Sequence, residues 1–265
     1  MFKIFQRLWQ VNWAEQWQYR ANLIMYLLYW LVSPIIYLAV WTSIANTKGD
    51  VNGFTANDFT TYYLTLLIVD QITSNIVIHT FGYKIQDGSL SGELVRPIHP
   101  MLTNALVNNI AFKALTIMGF IPIWLALFLL YKPDFSSVTL TGLLLAIPAM
   151  MLGFFVGFLL FATITSLAFW TTRVYSINEF FYALLLLFSG QFVPLTLMPK
   201  LIQDIAQYLP FQLLIYFPIQ LILGRLSEQQ IVQGFVMGIL WLVACLTLFN
   251  GVWRAGVKRY SAVGA

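Results

Sequence analysis

The chain has 265 residues, of which 60% are apolar and only 9% are charged, with a formal net charge of +4. Soluble domains are about half apolar and about a quarter charged, so this composition excludes a water-soluble globular enzyme. The single cysteine and two histidines exclude a disulfide framework, and we predict no metal site. The sequence contains no G-x-x-x-x-G-K-[ST] phosphate loop, so any ATP hydrolysis would belong to another chain.

The first 21 residues predict an amphipathic helix that lies in the membrane interface. Aromatic residues recur there at spacings of three and four, which places them on one helical face. These residues are Phe2, Phe5, Trp9, Trp13 and Trp17.

Long uncharged runs predict six transmembrane helices and therefore an all-α integral membrane fold. A helix needs about 20 apolar residues, at about 1.5 Å each, to cross the hydrocarbon core. The predicted spans cover residues 22–46, 58–82, 104–131 and 135–172, a segment that starts near Ser176, and residues 231–253. Asp70 interrupts the second span and Lys113 the third.

Residues 190–224 have a different pattern, because four prolines divide them into short apolar pieces. The prolines are Pro194, Pro199, Pro210 and Pro218. We expect short helices that enter the membrane from outside and return, since irregular backbone is tolerated where protein buries it. The alternative is that residues 209–224 form a seventh crossing.

The distribution of basic residues predicts the orientation. With six spans, ten of the 14 lysines and arginines lie on the side of the termini. The positive-inside rule then places both termini in the cytoplasm.

Residues 84–100, here named the polar segment, form the most polar connection in the chain. Asp87 and Gly88 predict a turn, and Ser89 is expected to cap a short helix with Glu93 in its first turn. Arg96 before Pro97 is expected to end that helix. The segment would present a short charged helix to the cytoplasm; the alternative is an ordinary loop between two spans.

The order of these features resembles the permease subunit of type-2 ABC exporters. The family pattern G-[ST]-L-x-x-x-L-x-x-P-[IL] is matched by Gly88, Ser89, Leu90, Leu94, Pro97 and Ile98. A second match runs through Phe188, Ser189, Gly190, Pro194, Pro199, Leu209, Pro210, Phe211 and Pro218. The resemblance implies one permease domain over residues 1–265, with an interfacial helix at 1–21, a coupling segment at 84–100 and an outward-facing re-entrant region at 190–224.

The resemblance also implies the partners and the mechanism. Two permease chains, identical or related, would enclose a path in the bacterial inner membrane, and separate ABC ATPase subunits would bind ATP and Mg. The lipid bilayer is a further partner, and no nucleic acid is expected. The sequence from Arg96 to Pro100 suggests a branch whose permeases occur as unlike pairs. Contacts with the ATPase would come from Asp87, Gly88, Ser89, Leu90, Glu93, Leu94, Arg96 and Pro97.

Asp70 is the principal candidate for cargo recognition, because an ionisable group inside a span is costly and usually faces protein or water. Tyr26, Tyr29, Tyr62 and Tyr63 would add cation–π attraction for a cationic aromatic compound. The alternative is a structural role, in which Asp70 pairs with Lys113 or bonds to neighbouring Thr and Asn groups.

Uncharged polar residues complete the candidate path. They are Asn75, Ser189 and Gln191, each of which would alternatively form an interhelical hydrogen bond. The expected cargo is an amphipathic or hydrophobic compound, drug-like and in some cases cationic, or a lipid. Two other functions remain open from sequence: an ion-driven secondary transporter, which usually has inverted repeats, and an intramembrane lipid-processing enzyme.

Overall fold

A computed structural model describes residues 2–260, and its regular elements within that range are helical. The α-helices are α1 Phe2–Gln18, α2 Arg20–Lys48, α3 Ala56–Thr73, α4 Tyr83–Gln86, α5 Ser91–Leu94, α6 Val107–Tyr131, α7 Leu140–Ser166, α8 Val174–Phe188, α9 Lys200–Ala206, α10 Tyr216–Ile222 and α11 Glu228–Arg259. Residues 1 and 261–265, which belong to the predicted domain, lie outside the described residues.

Among the described residues, four helical segments are long and apolar enough to cross a membrane. They are Ile24–Lys48, Val107–Tyr131, Leu140–Phe169 and Glu228–Arg259. They correspond to the predicted first, third, fourth and sixth spans. α8 is apolar but has only 15 residues, fewer than the about 20 that a perpendicular crossing needs. Six complete spans therefore remain a prediction.

The second predicted span is not a continuous helix, which corrects the prediction for residues 58–82. α3 ends at Thr73, and Ser74 has extended backbone angles. The chain becomes helical again in a π-helical turn, Ile78–Gly82, which leads into α4.

Hydrogen bonds of Asn75 hold this break. Its side-chain Nδ2 donates to the Thr73 carbonyl at 2.9 Å, and its Oδ1 accepts from Asn109 Nδ2 at 3.1 Å. The Tyr182 hydroxyl donates to the Asn75 carbonyl at 2.9 Å. Short polar side chains that bond to nearby backbone compete with helix formation, so the break is satisfied without the regular helical ladder.

Residues 190–224 contain only short helical pieces. α9 and α10 have seven residues each, and two 3₁₀ turns, Leu195–Leu197 and Pro210–Leu213, lie beside them. At about 1.5 Å per residue, α10 is too short to be a seventh crossing. Whether this region dips into the membrane and returns stays a prediction.

The N-terminal helix packs against the beginning of α6. Asn108 Nδ2 donates to Asn12 Oδ1 at 2.9 Å, and Trp13 packs against Phe112 and Leu115. Trp17, which belongs to the predicted apolar face, is 57% exposed. The side chains of residues 2–5, which include the first two aromatic residues of that face, lie outside the described residues.

The two ends of the bundle have different characters. At one end, His99 of the polar segment packs against Trp253 near the end of α11, with ring centroids 4.8 Å apart. At the other end, Arg225 forms an ion pair with Asp58 at the start of α3. The helix order thus brings the polar segment and the C-terminal end of α11 together.

Candidate functional site

A cavity of about 380 Å³ lies between α2, the break after α3, and α8. We name it the lateral cavity. Its lining is mainly aromatic and apolar, with a few polar groups. The lining residues are Tyr26, Tyr29, Trp30, Ser33, Pro34, Tyr37, Asp70, Thr73, Ser74, Asn75, Ile76, His79, Phe161, Glu179, Tyr182, Leu185, Leu186, Gln191, Leu214 and Ile215.

The aromatic wall comes from one face of α2. Tyr26, Tyr29, Trp30 and Tyr37 follow one another at helical spacing, so their side chains project to the same side. Tyr29 is 76% exposed, which shows that the cavity is open along this flank of the chain. Such a wall suits a flat apolar ligand and also attracts organic cations.

Two carboxylates lie in the wall of the lateral cavity. Asp70, near the end of α3, is buried, whereas Glu179 on α8 is exposed. Tyr182 lies one turn after Glu179 and interacts electrostatically with both acids. Of these two acids, only Asp70 was predicted from sequence to line the path.

Lys113 of α6 reaches the end of α3 that carries Asp70. Its Nζ donates to the Gln71 carbonyl at 2.9 Å and to Ser74 Oγ at 3.0 Å. The ammonium group is also the charged neighbour of Asp70 and lies 5.9 Å from the centre of the Phe154 ring. Its position at the C-terminal end of α3 is electrostatically favourable, because the unpaired carbonyls there carry partial negative charge.

The structure brings three of the four predicted path residues together. Asp70, Asn75 and Gln191 all line the lateral cavity. Ser189 is fully buried instead; its Oγ accepts from the Gln191 backbone at 3.2 Å, and its carbonyl accepts from Tyr216 N at 3.0 Å. Ser189 thus supports the loop that carries Gln191, and the transport roles of all four residues remain predictions.

Tyr62 and Tyr63 do not lie beside Asp70, which corrects their predicted position. Their hydroxyl groups donate to the carbonyls of Gly190 and Phe192, both at 2.7 Å. Trp41 Nε1 donates to the same Phe192 carbonyl at 3.1 Å. These three donors fix the loop after α8, which covers the cavity at the end opposite the polar segment.

The other predicted residues of the re-entrant region shape its turns. Pro194 and Pro199 directly precede the 3₁₀ turn Leu195–Leu197 and α9. Pro210 begins the second 3₁₀ turn, and Phe211 is buried against Phe188 with ring centroids 6.4 Å apart. Proline suits these positions because its fixed backbone angle favours the start of a helical turn.

The polar segment turns at Asp87 and Gly88. Gly88 has a φ of 86°, which favours glycine. Asp87 Oδ1 accepts from both Ser89 N at 2.9 Å and Ser89 Oγ at 2.7 Å, and these bonds hold the pKa of Asp87 below its usual range. Ser89 therefore does not cap the short helix as predicted, because its hydroxyl bonds back to Asp87; α5 begins two residues later.

An ion pair braces the polar segment. Lys84 Nζ lies 2.7 Å from Glu93 Oε1, with both side chains largely covered. Among the predicted coupling residues, Gly88 and Leu90 are buried, Glu93 and Leu94 are partly buried, and Asp87, Ser89, Arg96 and Pro97 are exposed. Of the predicted coupling residues, the last four are therefore accessible to a partner, while Glu93 pairs with Lys84 within the segment.

π-helical turns flank the polar segment on both sides. Ile78–Gly82 precedes it and Met101–Leu106 follows it, and the two turns contact each other. π-helical turns often occur at functional sites. At the second junction, burial beside Phe249 and Trp253 lowers the pKa of His99, and His99 Nδ1 accepts from Met101 N at 3.2 Å.

Sequence reasoning missed several wall residues of the lateral cavity. Glu179, Trp30, Tyr37 and Tyr182 line it but were not assigned to the path. The helical spacing of the α2 aromatics and the three-residue spacing from Glu179 to Tyr182 are signals in the sequence. Which faces of α2 and α8 are turned toward Asp70 depends on the break after α3, and residue spacing does not predict that break.

Comparison with protein families agrees with this architecture. The family described as ABC-2 family transporter protein matches residues 21–264, so the chain belongs to this family. No curated protein sequence matches the chain.

Proposed function

We propose that this chain is the membrane subunit of an ATP-driven exporter. It belongs to the ABC-2 transporter family, which makes it a transmembrane permease and implies an ABC ATPase partner. This chain forms part of the membrane path, and a separate ATPase binds ATP and Mg. The cargo is an amphipathic or hydrophobic compound, drug-like and in some cases cationic, or a lipid. The membrane is the bacterial inner membrane, with both termini in the cytoplasm.

The lateral cavity is the observation that carries this proposal. Its volume of about 380 Å³ falls in the range of sites for small organic ligands, about 300–1,000 Å³. Aromatic walls with a few polar groups fit an amphipathic compound. The loop that carries Gln191, held by Tyr62, Tyr63 and Trp41, would have to move before cargo leaves toward the outside.

A second permease chain completes the path in this proposal. Glu179 and Tyr29 are exposed at the open flank of the cavity. A carboxylate that faces lipid costs several kcal/mol, so a facing protein surface is favoured. A second copy or a related chain, placed against this flank, encloses the cavity between two permeases.

The polar segment transmits the movement of the ATPase. Asp87, Ser89, Arg96 and Pro97 belong to its exposed surface. The Lys84–Glu93 ion pair keeps the segment rigid, so a push on this surface reaches the π-helical turn Ile78–Gly82 and then the break that lines the cavity.

Site-directed photo-crosslinking tests the proposal. The sole cysteine, Cys245, is buried, so a new cysteine at an exposed position can carry a benzophenone label. We expect Arg96→Cys to crosslink to an ATPase subunit with a phosphate loop in native membranes. Met118→Cys on α6, which is exposed outside the polar segment, is the control and should give no such product. Labelling of an unrelated protein by Arg96→Cys would contradict the proposal.

A further inference from the structure

We infer that Glu179, rather than Asp70, determines whether the lateral cavity accepts a cationic compound. The inference rests on the proposed function and assigns a specificity-determining residue to its cargo site. It follows from a difference between the two carboxylates in the wall: Asp70 has Lys113 as a charged neighbour, whereas no cation among the described side chains forms an ion pair with Glu179.

The counter-charge of Asp70 is Lys113. Asp70 is 7% exposed and Lys113 is 9% exposed, so neither charge is screened well by solvent. The two groups interact electrostatically. Hydrogen bonds from Lys113 Nζ to the Gln71 carbonyl and Ser74 Oγ, at 2.9 and 3.0 Å, fix the ammonium group beside the broken end of α3.

This arrangement makes Lys113 part of the helix break. α3 ends inside the bundle, where its last carbonyls need donors. Lys113 supplies one donor to the Gln71 carbonyl, and the Gln71 side chain in turn donates to Thr116 Oγ1 of α6 at 2.6 Å. The ammonium group is therefore held by the fold, and a cargo cation at Asp70 would have to compete with it.

Glu179 has the opposite surroundings. It is exposed in the cavity wall, on the same side as Tyr29 and one turn before Tyr182. Among the side chains that the structure describes, the ion pairs are Lys84–Glu93, Lys200–Asp204 and Arg225–Asp58, so neither acid of the cavity directly contacts a described cation. What distinguishes Asp70 is the nearby charge of Lys113. An exposed carboxylate beside tyrosine rings attracts an organic cation that has an apolar body.

Binding of two probes of nearly equal shape tests the inference. Methyltriphenylphosphonium carries one positive charge, and triphenylphosphine oxide is neutral. Dissociation constants are measured by equilibrium dialysis, without ATP, on the complete complex in nanodiscs. The readout is the ratio of the two constants, so a general loss of binding does not change it.

We expect the wild-type complex to prefer the cation and Glu179→Gln to reduce that preference at least about tenfold, as expected for one close charge–charge attraction that water partly screens. Glu179→Asp keeps the charge and should retain the preference within about threefold. The double variant Asp70→Asn with Lys113→Gln removes both charges of the compensated pair and leaves their sum unchanged, so it should change the preference by less than about threefold.

The inference is overturned if the double variant Asp70→Asn with Lys113→Gln removes the cation preference while Glu179→Gln retains it. It is also overturned if the wild-type complex binds both probes equally, or binds neither. ATP-driven transport of the neutral probe distinguishes these failures from a failure of the proposed function. If that transport continues without cation preference, the exporter assignment stands and the role of Glu179 is wrong.

Discussion

Charged residues inside the bundle show most directly how single side chains stabilise this fold. Lys113 of α6 is 9% exposed and donates hydrogen bonds at the end of α3. A buried ammonium group without such partners would be strongly unfavourable. Each buried charge therefore identifies a contact on which the fold depends.

Replacement of Lys113 should destabilise the protein. Lys113→Gln removes the charge that compensates Asp70 and weakens the bond to the Gln71 carbonyl, so we expect a loss of about 1–3 kcal/mol. Thermal unfolding in detergent, followed by intrinsic fluorescence, measures the loss. Lys200→Gln is the matched control, because Lys200 forms a solvent-exposed pair with Asp204 that contributes about 0–1 kcal/mol. Equal midpoints for the two variants would contradict this role of Lys113.

The Lys84–Glu93 ion pair predicts a rescue by charge exchange. Lys84→Glu alone places a second acid beside Glu93, where Lys84 Nζ now lies 2.7 Å from Glu93 Oε1. We expect ATP-driven transport to fall about tenfold while the ATPase stays bound. The double variant Lys84→Glu with Glu93→Lys restores the opposite charges and should recover most of the transport. If the double variant is as inactive as the single one, transport does not depend on this ion pair.

Residue-level predictions from sequence succeeded where the residue type alone carries the information. An aspartate in an apolar run, such as Asp70, has to face protein or water, and it lines a cavity. Glu179 was not assigned to the path, because its place in the cavity wall depends on which face of α8 is turned inward. The acceptor of the Ser89 hydroxyl, Asp87, likewise depends on a turn geometry that spacing does not fix.

At the level of elements, close helix contacts depend on particular glycines. A Cβ atom on Gly153 of α7 would lie 2.5 Å from the Leu213 carbonyl oxygen, which is backbone and cannot rotate away. On Gly251 of α11, a Cβ atom would meet nothing within 4 Å. Alanine at the two sites should therefore affect stability differently.

We expect Gly153→Ala to lower stability by about 1–3 kcal/mol through overpacking. Gly251→Ala should leave stability unchanged or raise it by up to about 1 kcal/mol, because alanine favours a helix. Unfolding midpoints of the two purified variants in the same detergent give the comparison. A stable Gly153→Ala protein would show that α7 and the turn Pro210–Leu213 do not pack this closely.

The long helices were predictable because a run of apolar residues is itself the signal. α6, α7 and α11 lie close to the predicted third, fourth and sixth spans. The break after α3 was not predictable, since Asn75 is held by Asn109 and Tyr182, which are far away in sequence. Hydropathy read along the chain does not contain such contacts.

For the whole molecule, one continuous stretch connects the two candidate functional regions. Residues 74–76 line the lateral cavity, the π-helical turn Ile78–Gly82 follows, and the polar segment begins at Lys84. Movement of the polar segment would thus reach the cavity wall through about one turn of wide helix.

The proposed pair of permeases predicts crosslinking at the open flank of the cavity. Tyr29→Cys places a thiol at a position that is 76% exposed on α2, and oxidation should join two permease chains through it if the pair is identical. Leu240→Cys, 58% exposed on α11, is the control and should stay monomeric on a non-reducing gel. Crosslinking through Leu240 instead of Tyr29 would place the partner on another face.

ATP-driven transport is the most direct test of the central claim. The tagged chain is purified gently from native membranes with its bound proteins and reconstituted in liposomes, and uptake of triphenylphosphine oxide is measured with and without ATP and Mg. The account predicts that an ATPase with a phosphate loop copurifies and that uptake requires hydrolysable ATP. Uptake that follows an imposed ion gradient without ATP, with no ATPase in the preparation, would contradict it.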